Sequence, residues 1–186
     1  NNTSVLQSYF GRVNYSLNRK YLFSATLRRD ASSRFAESNR VGYFPSASIG
    51  WNVSQEDFWN AEGTINRLKL RAGYGELGAQ NIPDYAFQPT LGITSPTSFG
   101  GVTVPGFAQT QLVSPDIKWE TSKTSNFGVD VGLWNDRLSF TAEYYIKNVS
   151  DVLVGVRLPA SSGTALPVFQ NAAGIRNSGF ELDGIY

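Results

Sequence analysis

Arg67-Leu68-Lys69-Leu70-Arg71-Ala72-Gly73-Tyr74 decides how this chain is read. Side chains of a strand point alternately to its two sides, so Leu68, Leu70, Ala72 and Tyr74 share one face and Arg67, Lys69 and Arg71 the other. Three cations sit badly in a two-sided packed core. They suit a wall that separates lipid from a wet lumen, with charge pointing inward.

Six further stretches alternate in the same way. Tyr9, Gly11, Val13, Tyr15 and Leu17 alternate with Phe10, Arg12, Asn14, Ser16 and Asn18. After Asn18-Arg19-Lys20, Tyr21, Phe23, Ala25 and Leu27 alternate with Leu22, Ser24, Thr26 and Arg28, which makes a hairpin. Ala47, Ile49, Trp51 and Val53 oppose Ser46, Ser48, Gly50 and Asn52. A second tight hairpin turns at Asn135-Asp136-Arg137, between Phe127 to Leu133 and Leu138 to Ile146. In the last stretch Phe180 and Leu182 oppose Glu181 and Asp183. The expected fold is all-β: about seven strands of an antiparallel transmembrane β-barrel segment.

If successive strands cross a membrane, alternate connections fall on one side. Residues 18–20, 54–66 and 135–137 then share one side, and 31–42, 76–123 and 148–177 the other. The first set is expected to be the short periplasmic links and the second the long extracellular loops. Tyr9, Tyr21, Trp51, Tyr74 and Tyr144 lie near expected strand ends, where an interfacial aromatic girdle would place them. The alternative is an antiparallel sheet with one solvated face in a soluble protein. Long Gly, Ser, Thr and Pro loops are uncommon there.

Composition narrows the functions. Sixteen Lys and Arg against fifteen Asp and Glu leave no basic field for nucleic acid. The chain has no cysteine and no histidine, which removes disulfides, thiolate metal sites, the commonest general base and any Ser-His-Asp triad. No stretch reaches the ~20 apolar residues of a membrane helix. Asn1-Asn2-Thr3-Ser4 lacks a signal-peptide pattern, and alternation is still running at Tyr186. Both ends therefore read as arbitrary cuts from a longer protein.

Candidate motifs dissolve on inspection. Gly73-Tyr74-Gly75-Glu76-Leu77-Gly78 fits G-x-G-x-x-G, but a dinucleotide site needs a helix opening at its end, and Ala79-Gln80-Asn81-Ile82-Pro83 leads into loop. Glu143, Glu181 and Asp183 could pair as acid and base, but barrel interiors are polar by construction and solvated lumen charge is the ordinary reading. Asn-x-Ser/Thr at Asn2, Asn14, Asn52 and Asn148 is expected by chance in such a chain. Ser54-Gln55-Glu56-Asp57-Phe58-Trp59 reads as a helical turn capped by Ser54 in a periplasmic link. No catalytic, cofactor or metal residue is expected.

Several ordered segments resemble one family. They are 9–15 (Tyr-Phe-Gly-Arg-Val-Asn-Tyr), Tyr21 to Asp30 with Ser32-Ser33-Arg34-Phe35, and Gly42-Tyr43-Phe44-Pro45-Ser46-Ala47-Ser48-Ile49-Gly50-Trp51. Leu68 to Gly75 with Gly78 and Asn81, Pro115-Asp116-Ile117-Lys118-Trp119-Glu120, and Asn177-Ser178-Gly179-Phe180-Glu181-Leu182 follow in order. Together they are similar to the SusC-like (SusC/RagA) TonB-linked outer-membrane receptors. The resemblance implies a piece of a plugged barrel of about 22 strands, multi-pass in the outer membrane of a Gram-negative bacterium. It implies active import of an oligosaccharide or peptide with a SusD-like lipoprotein lid. TonB would act through a plug region outside these residues, as would the closing C-terminal strand. A siderophore or cobalamin receptor, or a non-transporting barrel, is the competing reading.

Binding residues concentrate on loops held by a rigid scaffold, so 76–123 and 148–177 are where cargo or lid contacts are expected. Trp119, Phe99, Phe107 and Phe169 have faces to stack on sugar rings, although packing the loops onto each other is the commoner use of such residues. No individual contact residue is assigned.

Overall fold

The computed structural model describes residues 3–60, 64–93, 96–159, 161 and 167–186. Asn2, with its chance Asn-x-Ser/Thr match, and parts of the 54–66 link and the 148–177 loop lie outside them. A single antiparallel sheet of seven long strands carries the chain: β1 (Leu6–Leu17), β2 (Tyr21–Ser32), β3 (Val41–Asn52), β4 (Ile65–Ala79), β9 (Glu120–Leu133), β10 (Leu138–Val156) and β11 (Val168–Ile185). They pair in the order β1-β2-β3-β4-β9-β10-β11, so the sheet is open and β1 and β11 are its outer strands. Between β4 and β9 lie four short strands, β5 (Thr90–Ile93), β6 (Thr97–Phe99), β7 (Val102–Val104) and β8 (Phe107–Gln111), which pair as β5-β8 and β6-β7.

The register makes the alternation collective. Directly opposed residues share a face, and one row runs Leu17, Tyr21, Trp51, Leu70, Val129, Ala142, Leu182 across all seven strands. The next row on that face runs Tyr15, Phe23, Ile49, Ala72, Phe127, Tyr144, Phe180. The opposite face carries Ser16, Leu22, Gly50, Arg71, Gly128, Glu143, Glu181. A slip of one residue in any pair would put cations among the apolar groups, so the two-sided environment fixes the register.

Among the described residues nothing covers the apolar face: Phe180 and Leu182 are 79% and 82% exposed. The accessible area is 12410 Å² for a 20.4 kDa chain. A compact soluble monomer of that mass exposes about 8,800 Å². A one-layer sheet with a bare apolar side is a barrel wall seen without its lipid. On β2 the apolar run from Tyr21 ends at Arg29. Eight residues at ~3.3 Å each, tilted ~40°, span about 20 Å of height, close to the ~25 Å apolar band of outer-membrane barrels. No described helix is long and apolar enough to cross a membrane; here the crossing segments are strands.

The strands run further than alternation alone indicates. The far-side connections shrink to residues 33–40, 80–119 and 157–167, because β4, β10 and β11 continue beyond the apolar band. Both faces of those extensions meet water or loop, so no two-solvent pattern marks them. The sides sort by parity as expected. Their lengths separate less cleanly, since the 33–40 connection is shorter than the 53–64 link opposite. Asn18 and Arg19 both take positive φ, and Lys20 N–H donates to the Leu17 carbonyl at 2.9 Å, the two-residue turn that matches strand twist. The helical turn is a 3-10 segment, Val53–Gln55, with Ser54 inside it and no side-chain cap, so Ser54 is not the cap expected.

Candidate functional site: lumen wall and loop platform

Arg71 organises the lumen wall. Its Nη1 lies 2.6 Å from Glu143 Oε2, two strands away, and its Nε 3.4 Å from Asp130 Oδ1. Gly128 stands between them, and a Cβ there would meet Arg71 Nε at 2.7 Å. The glycine is a floor over which the guanidinium lies flat. The same device recurs at Gly73, covered by Asn126, and at Gly132, covered by Arg67 and Asp136. Asn126 Nδ2 donates to Glu143 Oε1 at 3.1 Å, and Thr141 Oγ1 to Asp130 Oδ1 at 3.1 Å. Arg71, Asp130 and Glu143 are thus cross-linked across β4, β9 and β10.

Glu143 and Glu181 are opposed in register, and Asp183 opposes Thr141. Glu143 is held by Arg71 and Asn126, so it serves as a wall anchor. The entire G-x-G-x-x-G match lies within β4, and the space over Gly78 is filled by the Phe44 ring. No helix N-terminus is there to receive a phosphate. Among the described residues no cluster of three or more His, Cys, Asp or Glu is placed to hold a metal.

At the end of the wall that carries the short turns, Tyr21 and Trp51 stack with ring centroids 6.5 Å apart. Tyr21 Oη and Trp51 Nε1 both donate to Glu56 Oε1, at 2.7 and 2.9 Å. Lys20 Nζ lies 3.1 Å from Glu56 and from Asp57. The hydrogen bonds from Tyr21 and Trp51, with Lys20 alongside, hold the Glu56 carboxyl below its ordinary range. Asp57 and Glu56 together raise the Lys20 ammonium above its own. Both rings lie at the strand ends where the sequence pattern puts a girdle. At the other end Tyr9 and Tyr74 border charged neighbours, and Tyr74 Oη bonds to Glu76. Tyr144 is different: it sits within the apolar rows against Phe180, centroids 4.7 Å apart, and is not part of a girdle.

Above the wall, on its lumen side, the loops share one small core. Phe35, Phe44, Ile82, Ala86, Ile117 and Trp119 are buried together, with Phe87, Leu153 and Phe169 packed against them. Trp119 lies 5.0 Å from the Phe35 ring and 5.5 Å edge-on to Phe44. Its Nε1 donates to the Arg40 carbonyl at 3.2 Å, so the indole is satisfied as it is buried. Arg34 ties the 33–40 connection to the long loop through Asp84 at 2.9 Å and the Gln80 carbonyl at 3.2 Å. Asn39 does the same through the Ile117 carbonyl at 3.2 Å.

The end of the long loop is clamped by Asn171 of β11. Its amide accepts from Lys118 N–H at 2.9 Å and donates to the Lys118 carbonyl at 2.9 Å and the Asp151 carbonyl at 2.7 Å. One side chain therefore stands in for a strand neighbour. Asp151, with φ of 57°, presents its carbonyl from an irregularity in β10. The four stacking candidates consequently separate. Trp119 and Phe169 hold the platform together, while Phe99 and Phe107 on the small hairpins are 71% and 68% exposed.

This geometry has known counterparts. Residues 1–186 match the model for "TonB dependent receptor-like, beta-barrel". The chain is 36% identical to TonB-dependent receptor SusC of Bacteroides thetaiotaomicron over 96% of its own length and 18% of that protein. It is 38% identical to TonB-dependent receptor P3 of Formosa agariphila, over 97% of this chain and 18% of that one. The fold superposes on the RagAB peptide transporter with a TM-score of 0.85 at 28% identity, covering 98% of this chain and 20% of that one. A siderophore receptor, PirA of Pseudomonas aeruginosa, shares the fold at a TM-score of 0.60 and 16% identity. The chain spans about a fifth of the proteins it matches. By name these relatives are receptors and transporters. A lipid-facing apolar band, a cross-linked polar lumen and a match along the whole chain lead to one assignment: this chain belongs to the TonB-dependent receptor β-barrel family of the Gram-negative outer membrane.

Proposed function

We propose that the chain supplies wall and extracellular mouth to a TonB-dependent importer of nutrient oligomers, glycan or peptide, that works with a SusD-like surface lipoprotein. The observation that carries this reading is the 36% identity to SusC across nearly the whole chain. The likeness to a siderophore receptor is one of fold alone. The 186 residues are seven long strands of a barrel of about 22, with loops centred on 33–40, 80–119 and 157–167 facing outward. Plug, TonB contact and closing strand belong to other parts of the receptor.

The division of labour follows from the physics. A wall in which Arg71, Asp130 and Glu143 are cross-linked strand to strand stays rigid there while a plug moves against it. A platform with its own core holds the exposed hairpin rings Phe99 and Phe107 where an oligomer would enter. No step of bond making is assigned to these residues. The test is uptake of labelled oligosaccharides and peptides by cells carrying the full-length receptor, with and without an uncoupler and with and without the neighbouring lipoprotein. Uptake that needs both the proton gradient and the lipoprotein supports the reading. Uptake of iron chelates or cobalamin without the lipoprotein replaces it with the alternative receptor class.

A further inference from the structure

The outward face ends in a cation that the lumen wall and loops leave unused. Arg29 of β2 is directly opposite Tyr9 of β1 and Tyr43 of β3, on the face that carries Leu27 and Phe23 toward lipid. It is the first charge above the apolar run on that strand. Its outward neighbours are all neutral: Gln7, Gly11, Leu27, Ala31, Val41 and Pro45. The nearest acid in sequence, Asp30, points to the other face and is engaged by Arg28 at 2.9 Å. Of the other outward charges at this end, Glu76 and Lys123 pair with each other at 3.6 Å, and Arg176 of β11, opposite Asn148, is five strands away. Among the described residues Arg29 has no ion pair.

Its two flanking tyrosines add donors. Tyr9 Oη accepts from Gln7 Nε2 at 2.8 Å, which leaves its own proton to donate elsewhere. Tyr43 is 59% exposed and has no hydrogen-bond partner among the described residues. The patch thus offers a partly buried arginine flanked in register by two tyrosines, with donors on three adjacent strands and no carboxylate among its described outward neighbours. Such a set suits an oxyanion with several acceptor oxygens, and a guanidinium can grip two of them at once. A cation at the edge of the hydrocarbon meets headgroups before it meets bulk water.

We propose that Arg29, with Tyr9 and Tyr43, is a binding site for the phosphate of an outer-leaflet glycolipid headgroup. The site fixes the barrel's height at its outer interface, opposite the Tyr21, Trp51 and Glu56 cluster at the inner one. It does not depend on which cargo the receptor carries.

The experiment uses the full-length receptor in mild detergent, titrated with a phosphorylated lipid A and read by native mass spectrometry. The wild type is expected to retain the glycolipid, Arg29→Gln to lose about tenfold in retention, and Arg29→Lys to fall between. The dephosphorylated glycolipid should bind wild type and R29Q alike, and excess inorganic phosphate should not displace the intact lipid. Equal retention by wild type and R29Q overturns the proposal. Displacement by inorganic phosphate also overturns it, since the site would then take a free anion. If R29Q fails to fold, the Tyr9→Phe, Tyr43→Phe double variant keeps both rings and removes both donors. That variant should still weaken phosphorylated lipid several-fold, and no change would count against the site.

Discussion

Replacing Gly128 by alanine should unfasten the lumen wall without touching any charged residue. The added methyl would lie 2.7 Å from Arg71 Nε and 2.8 Å from Cζ, so the guanidinium must lift. Lifting it breaks the 2.6 Å contact with Glu143 and the 3.4 Å approach to Asp130. A charge-assisted contact contributes roughly 1.5–3 kcal/mol, but the Arg71 side chain is 33% exposed and water screens it, which brings the expected loss to about 1–2 kcal/mol. Gly128 is not at positive φ, so backbone strain adds nothing, and alanine recovers roughly 0.5–1 kcal/mol through its lower chain entropy. The decisive assay is a double-mutant cycle on the full-length receptor, following the urea midpoint of barrel unfolding in detergent. Gly128→Ala should destabilise the wild type and be neutral or stabilising once Arg71 is alanine. An equal cost in both backgrounds would mean that the glycine serves something other than the Arg71 crossing.

Three further outcomes follow from the same contacts. Trp119→Ala should remove about 3–5 kcal/mol of local stability from the loop platform and speed proteolysis within residues 80–119, whereas Phe99→Ala should leave the cleavage rate unchanged. Asn171→Ala deletes three hydrogen bonds to Lys118 and Asp151, at about 1 kcal/mol each, so hydrogen exchange at the Lys118 amide should accelerate while β3 amides stay protected. The Glu56 carboxyl is held below its ordinary value of 4.5, so its contribution is present above that pH and fades as pH falls through the lowered value. Glu56→Gln should therefore flatten the acid limb of the stability profile. Lys20 runs the other way, its contribution persisting below 10.5 and fading only as pH rises beyond it.

The membrane-spanning part of the fold was open to sequence reading because two solvents meet at the wall. Leu70 and Arg71 cannot exchange faces, so alternation, register and topology all follow from one pattern. Above the band that constraint lapses. Residues 150–156 of β10 and 168–177 of β11 belong to strands with little face contrast, so periodicity reads them as loop. The four short strands in 80–119 carry no such pattern for the same reason. Trp119 was visible as an aromatic, but its burial depends on Phe35 and Phe44 from distant segments, a contact no local pattern reveals. Gly50, Gly73, Gly128, Gly132 and Gly179 offered a signal that went unused. All have lumen-facing parity, and each lies beneath or beside a long polar or aromatic side chain from a neighbouring strand. Tyr144 shows the opposite failure, since an aromatic near an expected strand end proved to be mid-band once β10 was seen to continue to Val156.

The central claim is that one face of this sheet meets lipid and the other meets water. The chain has no cysteine, so single cysteines can be placed along β2 and β9 of the full-length receptor, with any cysteine elsewhere replaced, and spin-labelled in a bilayer. Labels at Phe23, Ala25, Leu27, Phe127 and Val129 should be relaxed by oxygen dissolved in lipid. Labels at Ser24, Thr26, Asn126 and Asp130 should respond to a water-soluble nickel chelate, giving a strict period of two. Equal nickel access on both faces, or no alternation along either strand, would contradict the account.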